Sequence, residues 1–311
     1  MYQHTQTAFG QWTKHTIADH NGSNRLSLVP GYGACLLDLT LDGVSLLDVY
    51  DTPLNMDINR WCKNVLLFPF PNRLKEGGYH WEDNEYHFAI NDTITNNALH
   101  GLGMNAEMDV ESTNLQEESA SITCRYDYPG DDPGYPFPFQ LWVTFQIETG
   151  GRFNGRLQFA NQSDQNIPVG LGWHPYFQLS DHLDQLELQL PSCEMVGVDS
   201  QMIPTGKRYA YDDFEELKKV GATVLDNCFA LTANGATAEV WIKGNKGSIR
   251  FWQEAGPGKF NFMQIFTPPH RQSIAIEPMT CNIDAFNNGD GLVTLKPGEE
   301  WEVRFGMAFE K

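Results

Sequence analysis

Apolar and polar residues alternate along several stretches of this chain, and this alternation limits the possible folds more than any other feature. Every second residue is apolar in residues 141–147, 186–190 and 301–309. Residues 260–266 place three phenylalanines and Gln264 on one side of a further candidate strand. Successive side chains of a strand point to opposite faces, so a period of two is typical of half-buried strands. The sequence therefore predicts an all-β fold.

Turn signals separate the apolar stretches. Asp42 and Gly43 lie between two of them and predict a hairpin, because Gly tolerates positive φ. A second hairpin is predicted in residues 79–90, around Asp83 and Asn84, and a short helix in residues 212–220, where acidic residues open the first turn. Without a βαβ alternation, the chain is predicted to form one large antiparallel β-sandwich, a single domain over 1–311. One concave sheet face could bind a small ligand.

The charge and cysteine content argue against several classes of partner. The chain has 40 Asp and Glu against 21 Lys and Arg, a net charge of -19. Such a surface repels nucleic acid, anionic membranes and strongly anionic substrates. The six cysteines form no Cys-x-x-Cys pair, which indicates reduced thiols rather than a zinc site or a disulfide framework. Residues 1–12 do not resemble a signal peptide and no apolar run is long enough to span a membrane, so a cytoplasmic location is expected.

Two ionisable residues stand inside strongly apolar strand sequences. Glu277 lies in residues 274–280, where a carboxylate is costly unless it is paired. His174 lies among aromatic residues before Pro175. Burial lowers the pKa of a histidine and a nearby carboxylate raises it, and an imidazole that titrates near neutrality suits general acid–base catalysis. Taken alone, each residue fits a structural role about as well as a chemical one.

Five further polar residues occupy similar positions. Arg73 could hydrogen-bond a hydroxyl with its rigid guanidinium, or it could be a surface residue that closes a loop. A lone histidine in apolar sequence is more often part of the core than a catalyst. The five candidates are Asn72, Arg73, His100, Asp226 and Gln264.

Four potential metal ligands would face one another across the second hairpin. The aromatic residues between them are expected to take the buried face and leave these four in solvent, so no required metal is predicted. The four are His80, Glu82, Glu85 and His87.

Taken in order, several segments resemble the aldose 1-epimerase (galactose mutarotase) family, from about Asn24 to the C-terminus. They are Phe-Pro-x-Pro-Asn-Arg at 68–73, Leu-His-Gly at 99–101, Gly-Trp-His-Pro-Tyr-Phe at 172–177, Leu-Asp-x-x-Phe at 225–229, Ile-Glu-Pro at 276–278 and Gly-Asp-Gly-Leu-x-x-Leu-x-Pro-Gly-Glu at 289–299. The resemblance implies a β-supersandwich and a reaction that needs no cofactor. It makes Glu277 the general base and His174 the general acid, and it places Asn72, Arg73, His100, Asp226 and Gln264 around the sugar hydroxyls.

One family feature is missing, because the Trp that often follows the His-Gly pair has no counterpart in residues 104–110. The function implied is interconversion of the α and β anomers of a free aldohexose, such as galactose or glucose, by a monomer or homodimer. Two alternatives remain at this point: a glycoside hydrolase that uses Asp226 and Glu277 as its carboxylate pair, and a non-catalytic sugar-binding protein. A hexose-phosphate epimerase is disfavoured by the scarcity of Lys and Arg near these motifs.

Overall fold

In the computed structural model, which describes residues 1–232 and 235–311, strands are the main regular structure and helices are few and short. The strands in the first half are β1 (Gln3–Phe9), β2 (Trp12–Ala18), β3 (Arg25–Val29), β4 (Cys35–Leu41), β5 (Val44–Ser45), β6 (Leu66–Leu67), β7 (Arg73–Lys75), β8 (Gly78–Trp81), β9 (Asn84–His87), β10 (Asn97–Leu99), β11 (Asp109–Leu115), β12 (Ser119–Tyr128), β13 (Phe139–Glu148) and β14 (Arg152–Asn161).

The second half adds β15 (Ile167–Val169), β16 (Gly172–Trp173), β17 (Tyr176–Phe177), β18 (Glu187–Gln189), β19 (Cys193–Val198), β20 (Pro204–Tyr211), β21 (Lys218–Lys219), β22 (Asp226–Leu231), β23 (Thr237–Gly244), β24 (Gly247–Glu254), β25 (Phe262–Phe266), β26 (Ile274–Met279), β27 (Val293–Leu295) and β28 (Glu300–Glu310). The helices are α1 (Pro53–Ile58) and α2 (Ala285–Asn288), with 3-10 turns at Arg60–Cys62, Gly103–Asn105 and Leu183–Gln185. No helix in the described part of the chain is long and apolar enough to cross a membrane.

Two large antiparallel sheets dominate the architecture. The nine-stranded sheet has the order β11-β12-β13-β14-β28-β24-β23-β18-β21. The eight-stranded sheet has the order β20-β19-β22-β25-β26-β16-β6, and β17 also pairs with β26. Strands β1 to β5 form a third sheet, and three two-stranded ladders join β10 to β7, β15 to β27 and β8 to β9. The prediction of an all-β antiparallel fold is confirmed.

An aromatic layer joins the two large sheets. Trp173 of β16, in the eight-stranded sheet, is fully buried and stacks on Phe305 of β28, with ring centroids 4.8 Å apart. Phe153 of β14 and Phe251 of β24 pack around the same indole at 5.6 and 6.4 Å. Aromatic pairs of this kind contribute about 0.5–1.5 kcal/mol beyond their buried area. The layer therefore fixes the position of β16 between its neighbours.

Both predicted hairpins are present. Asp42 and Gly43 have φ of 48° and 77°, the double positive φ of a turn that matches the twist of β4 and β5. In the second hairpin Trp81 pairs with Asn84, so the turn lies one residue earlier than predicted. The four potential metal ligands on this hairpin are all exposed, as expected: His80, Glu82, Glu85 and His87.

The predicted helix at residues 212–220 is wrong. Residues 213–216 form turns, and β21 pairs with β18 at the edge of the nine-stranded sheet. Phe214 is buried, and its carbonyl accepts a hydrogen bond from the amide of Leu190. Leu217 would share the apolar face of a helix with Phe214, but it is exposed. Pairing at the sheet edge outweighs the weak local preference for helix.

Phe305→Ala should lower the free energy of unfolding by about 3–5 kcal/mol, because it removes the ring that Trp173 stacks on and leaves a cavity between the sheets. Urea unfolding measures the change. Trp241→Ala, on the partly exposed face of β23, is the matched control and should change stability by no more than about 0.5 kcal/mol. Equal losses in both variants would show that the aromatic layer does not hold the sheets together.

Candidate active site

One cleft, with a volume of about 430 Å³, contains all seven polar residues singled out in the sequence. They come from separate segments of the chain and meet beside β25 and β26. Their roles in catalysis and binding stay predictions. The seven are Asn72, Arg73, His100, His174, Asp226, Gln264 and Glu277.

Glu277 and His174 are in direct contact at the cleft. Glu277 lies in β26, opposite Gln264 of β25, and His174 follows β16 directly. His174 Nε2 is 3.3 Å from Glu277 Oε1, and only 7% and 2% of the two side chains are exposed. The His174 ring also lies parallel to the ring of Tyr176, with centroids 5.1 Å apart. The pair is therefore both close enough for proton exchange and shielded from bulk water.

Three buried polar atoms of the cleft residues have no hydrogen-bond partner within the described chain. They are Glu277 Oε2, His174 Nδ1 and Gln264 Oε1. A buried polar atom without a partner costs about 1–3 kcal/mol. Such a cost is common at a site whose hydrogen bonds are completed by a ligand. The cleft thus has unused hydrogen-bonding capacity at and beside the contact between Glu277 and His174.

Burial favours the neutral form of both members of the pair. It lowers the pKa of His174 to about 3. It also raises the pKa of Glu277 well above its ordinary value, and the charge of Asp226 adds to this effect while Arg73 opposes it. The expected titration of His174 near neutrality is therefore not found, because dehydration outweighs the neighbouring carboxyl group. Burial therefore favours a neutral carboxyl group beside a neutral imidazole over an ion pair.

His100 and Asn72 hold each other through two hydrogen bonds. The backbone amide of Asn72 donates to His100 Nδ1 at 3.1 Å, and the amide of His100 donates to the carbonyl of Asn72 at 2.8 Å. Since Nδ1 is an acceptor, the proton of the neutral ring must be on Nε2. Burial, with the nearby His174 and Arg73, holds the pKa of His100 well below its ordinary range. His100 is thus a fixed hydrogen-bond donor at the cleft.

Arg73 is held by a carboxylate that the sequence analysis did not identify. Its Nε donates to Asp92 Oδ2 at 2.9 Å and to Thr95 Oγ1 at 3.2 Å, and its Nη1 donates to Asn72 Oδ1 at 3.3 Å. Burial alone would raise the pKa of Asp92, but hydrogen bonds from Thr95 and the charge of Arg73 together lower it. The ion pair orients the guanidinium and offsets much of its positive charge.

Asp226 and Gln264 form a second polar unit. Gln264 Nε2 donates to Asp226 Oδ1 at 2.7 Å, which leaves Gln264 Oε1 without a partner in the described chain. The Asp226 side chain still reaches solvent, yet partial loss of hydration raises its pKa, with Asp92 adding and Arg73 and Gln264 opposing. The unit offers carboxylate acceptors and an amide acceptor side by side, a set that suits neighbouring hydroxyl groups.

Trp61 and Phe266 form an aromatic wall on one side of the cleft. Trp61 lines the cleft and packs against Phe266, with ring centroids 5.4 Å apart. The Trp61 carbonyl accepts a hydrogen bond from the Tyr176 hydroxyl at 2.8 Å. Tyr176 lies within a segment that carried the family resemblance, whereas Trp61 follows a short helix and gave no periodic signal. Nine residues that line the cleft were not among the seven candidates: Trp61, Cys62, Asp92, Ile94, Thr95, Leu99, Tyr176, Met202 and Phe266.

Comparison with known families agrees with the resemblance seen in the sequence. A family model described as Aldose 1-epimerase matches residues 15–308. The chain belongs to the aldose 1-epimerase family. It is 28% identical to the uncharacterized protein YihR of Escherichia coli over 285 residues, which cover 88% of this chain and 87% of that protein. It is 29% identical to human galactose mutarotase over 140 residues, covering 44% of this chain and 39% of the human protein.

Solved structures show the same fold. A galactose mutarotase-like protein from Clostridium acetobutylicum superposes with a TM-score of 0.87 at 20% identity, over 100% of this chain and 98% of that one. A galactose 1-epimerase from Lactobacillus acidophilus gives 0.82 at 18% identity, over 100% and 98%. The predicted galactose mutarotase-like β-sandwich is confirmed.

The neutral state of the buried pair can be tested by its effect on stability. His174 regains its ordinary pKa of 6.5 on unfolding, so its contribution is lost as the pH falls from 6.5 towards about 3. The pKa of Glu277 is raised in the folded protein, so its contribution to the free energy of unfolding is lost as the pH rises above 4.5. Urea unfolding measures the free energy of unfolding across this pH range. His174→Asn should remove the loss of stability between pH 6.5 and about 3, and Glu277→Gln should remove the loss of stability above pH 4.5. A charged pair would reverse both signs, and His182→Asn, at an exposed site, should change neither.

Proposed function

We propose that this protein interconverts the α and β anomers of a free, uncharged aldohexose. The observation that carries the proposal is the buried contact between His174 and Glu277, 3.3 Å apart, in a cleft where each side chain keeps one unpartnered polar atom among the described residues. A pair with one exchangeable proton meets the requirement of a reaction that moves one proton on and another off the same sugar. Family membership supports the same reading.

In the proposed reaction Glu277 accepts the proton of the anomeric hydroxyl while His174 donates a proton to the ring oxygen. The bond between C1 and the ring oxygen breaks as the carbonyl at C1 forms. Rotation about the C1–C2 bond then presents the other face, and the two proton transfers run in reverse as the ring recloses. Because burial favours the neutral pair, the proton must first move from Glu277 to His174, and ring opening then returns the pair to its neutral form. The open-chain sugar is therefore bound by the neutral pair.

The charges at the cleft support an uncharged substrate. Asp92, Asp226 and Glu277 line it, and the guanidinium of Arg73 is already paired with Asp92. No further Lys or Arg is among the described lining residues. A phosphate or carboxylate on the sugar would meet this acidic set without a free cation. We propose that Asn72, Arg73, His100, Asp226 and Gln264 bind the sugar hydroxyls, with the Nε2–H group of His100 as a donor.

The same proposal includes a cytoplasmic location. All six cysteines are free thiols, and five of them are buried. Unpaired cysteines are usual in proteins of reducing compartments.

Polarimetry of freshly dissolved α-D-glucose and α-D-galactose tests the proposed activity. The protein should speed the change in optical rotation, and Glu277→Gln and His174→Asn should each lower kcat roughly 100- to 10,000-fold with modest effects on KM. Glu239→Gln, on β23 in the other large sheet, is the matched control and should keep full activity. A variant of the pair with near wild-type kcat would refute the role assigned to that residue. Release of product from an aryl glycoside would instead indicate a hydrolase, and sugar binding without any rate change a binding protein.

Trp61→Ala should raise KM about tenfold and change kcat little, because the indole would pack on the apolar face of the bound sugar and carries no group that the proposed proton transfers use. Trp61→Phe should recover part of the loss. Trp241→Ala controls for the general effect of removing an indole. A fall in kcat without a rise in KM would mean that Trp61 does not contribute to substrate binding.

A further inference from the structure

Asn64 is buried with no exposed surface, and each of its polar groups is hydrogen-bonded. It precedes Val65 and has a positive φ of 59°, a conformation that Asn adopts more readily than most residues. It does not line the cleft, and none of the sequence motifs includes it. Its hydrogen bonds nevertheless connect it to the backbone on both sides of Pro175, at the carbonyl of His174 and the amide of Tyr176.

Two of these hydrogen bonds are made to the segment that carries His174. The backbone amide of Asn64 donates to the carbonyl of His174 at 2.8 Å. The side-chain Oδ1 accepts from the amide of Tyr176 at 3.1 Å. Pro175, between them, has no N–H group and interrupts the ladder there. The side chain of Asn64 thus supplies the acceptor that the next residue of a regular strand would have supplied.

The other two bonds anchor Asn64 to the body of the protein. Its Nδ2 donates to the carbonyl of Asp48 at 2.8 Å, and its own carbonyl accepts from the amide of Leu36 at 3.3 Å. The amide of Asp48 in turn donates to the carbonyl of Tyr176 at 2.9 Å. Three segments of the chain therefore meet at one buried amide.

The His174 ring itself has few other restraints. Its Nδ1 has no partner in the described chain, and its Nε2 lies 3.3 Å from Glu277 Oε1. The ring stacks on Tyr176 and meets the ring of His100 edge to face, with centroids 5.2 Å apart, while the backbone amide of His174 donates to the carbonyl of Val65 at 3.0 Å. The stacking on Tyr176 and the position of the His174 carbonyl depend on the peptide groups that Asn64 holds.

We propose that Asn64 is a positioning residue, which fixes the imidazole of His174 against Glu277 by holding the carbonyl of His174 and the amide of Tyr176. The geometric part of this proposal stands on the structure alone. Only its effect on turnover rests on the function proposed above.

Asn64→Gly is the sharpest test. Gly keeps the positive φ and the two backbone hydrogen bonds, and it removes only the side-chain bonds to Tyr176 and Asp48. Asn161→Ala is the matched control, since Asn161 is equally buried and donates to the carbonyls of Gln165 and Leu295, at the end of β14 and outside the cleft. Both variants should lose stability, but only the first should disturb His174.

Two measurements separate positioning from general destabilisation. The ring-nitrogen NMR signals of His174, assigned by their absence in His174→Asn, should shift and titrate at a higher pH in Asn64→Gly and stay unchanged in Asn161→Ala. In the polarimetric assay, Asn64→Gly should lower kcat roughly 10- to 100-fold with KM little changed. Asn64→Asp keeps an oxygen acceptor for Tyr176, so its His174 NMR signals and its kcat should lie between those of the wild type and Asn64→Gly. If the Gly variant does not fold, the same two measurements are made on Asn64→Asp.

The outcomes distinguish the two proposals. Unchanged His174 signals in Asn64→Gly would overturn the positioning role, whatever the activity. Shifted signals with wild-type kcat would also overturn it, because the geometry would then not matter for turnover. Shifted signals in a protein whose wild type has no epimerase activity would uphold the geometric role and refute the proposed function instead.

Discussion

The stacking of Trp173 on Phe305 is the contact on which the rest of the site depends, because strand geometry couples it to His174. Side chains alternate across a strand, so a residue anchored between the sheets sets the direction of its neighbour. Trp173 points into the core and His174 to the cleft, just as Ile276 and Glu277 do in β26 and Ile265 and Gln264 in β25. His174 and Glu277 are therefore placed by core packing, and their buried, poorly hydrated environment follows from the same arrangement.

The regular part of this structure could be read from the sequence. The period of two predicted the strands, and polar residues that interrupted apolar strands all reached one cleft. The failures lie where tertiary contacts decide. Residues 212–220 carry helix-like end signals, yet an edge strand forms there. Trp61 and Asp92 come from irregular segments, and no local pattern reveals that such segments fold against a distant strand. The domain prediction for residues 1–311 stays a prediction.

The electrostatics of the cleft also depended on three-dimensional information. Sequence reasoning allowed either burial or a nearby carboxylate to dominate the pKa of His174, and only the depth of the pair decides in favour of burial. Asp92 illustrates the same point. Its ion pair with Arg73 orients the guanidinium, which still donates hydrogen bonds but has much of its positive charge offset. A polar residue in an apolar strand predicts a candidate site residue. Its protonation state can be inferred only when its neighbours in the folded protein are known.

The aromatic wall formed by Trp61 and Phe266 has a consequence for how this protein can diversify. His174 and Glu277 are held by the eight-stranded sheet, where most substitutions would disturb packing. Trp61, by contrast, comes from an irregular segment, as do Asp92 and Thr95 near Arg73. Substitutions in those segments could reshape the cleft while the sheets stay intact. Selection can thus change which ligands the cleft accepts through these segments while the contact between His174 and Glu277 stays in place.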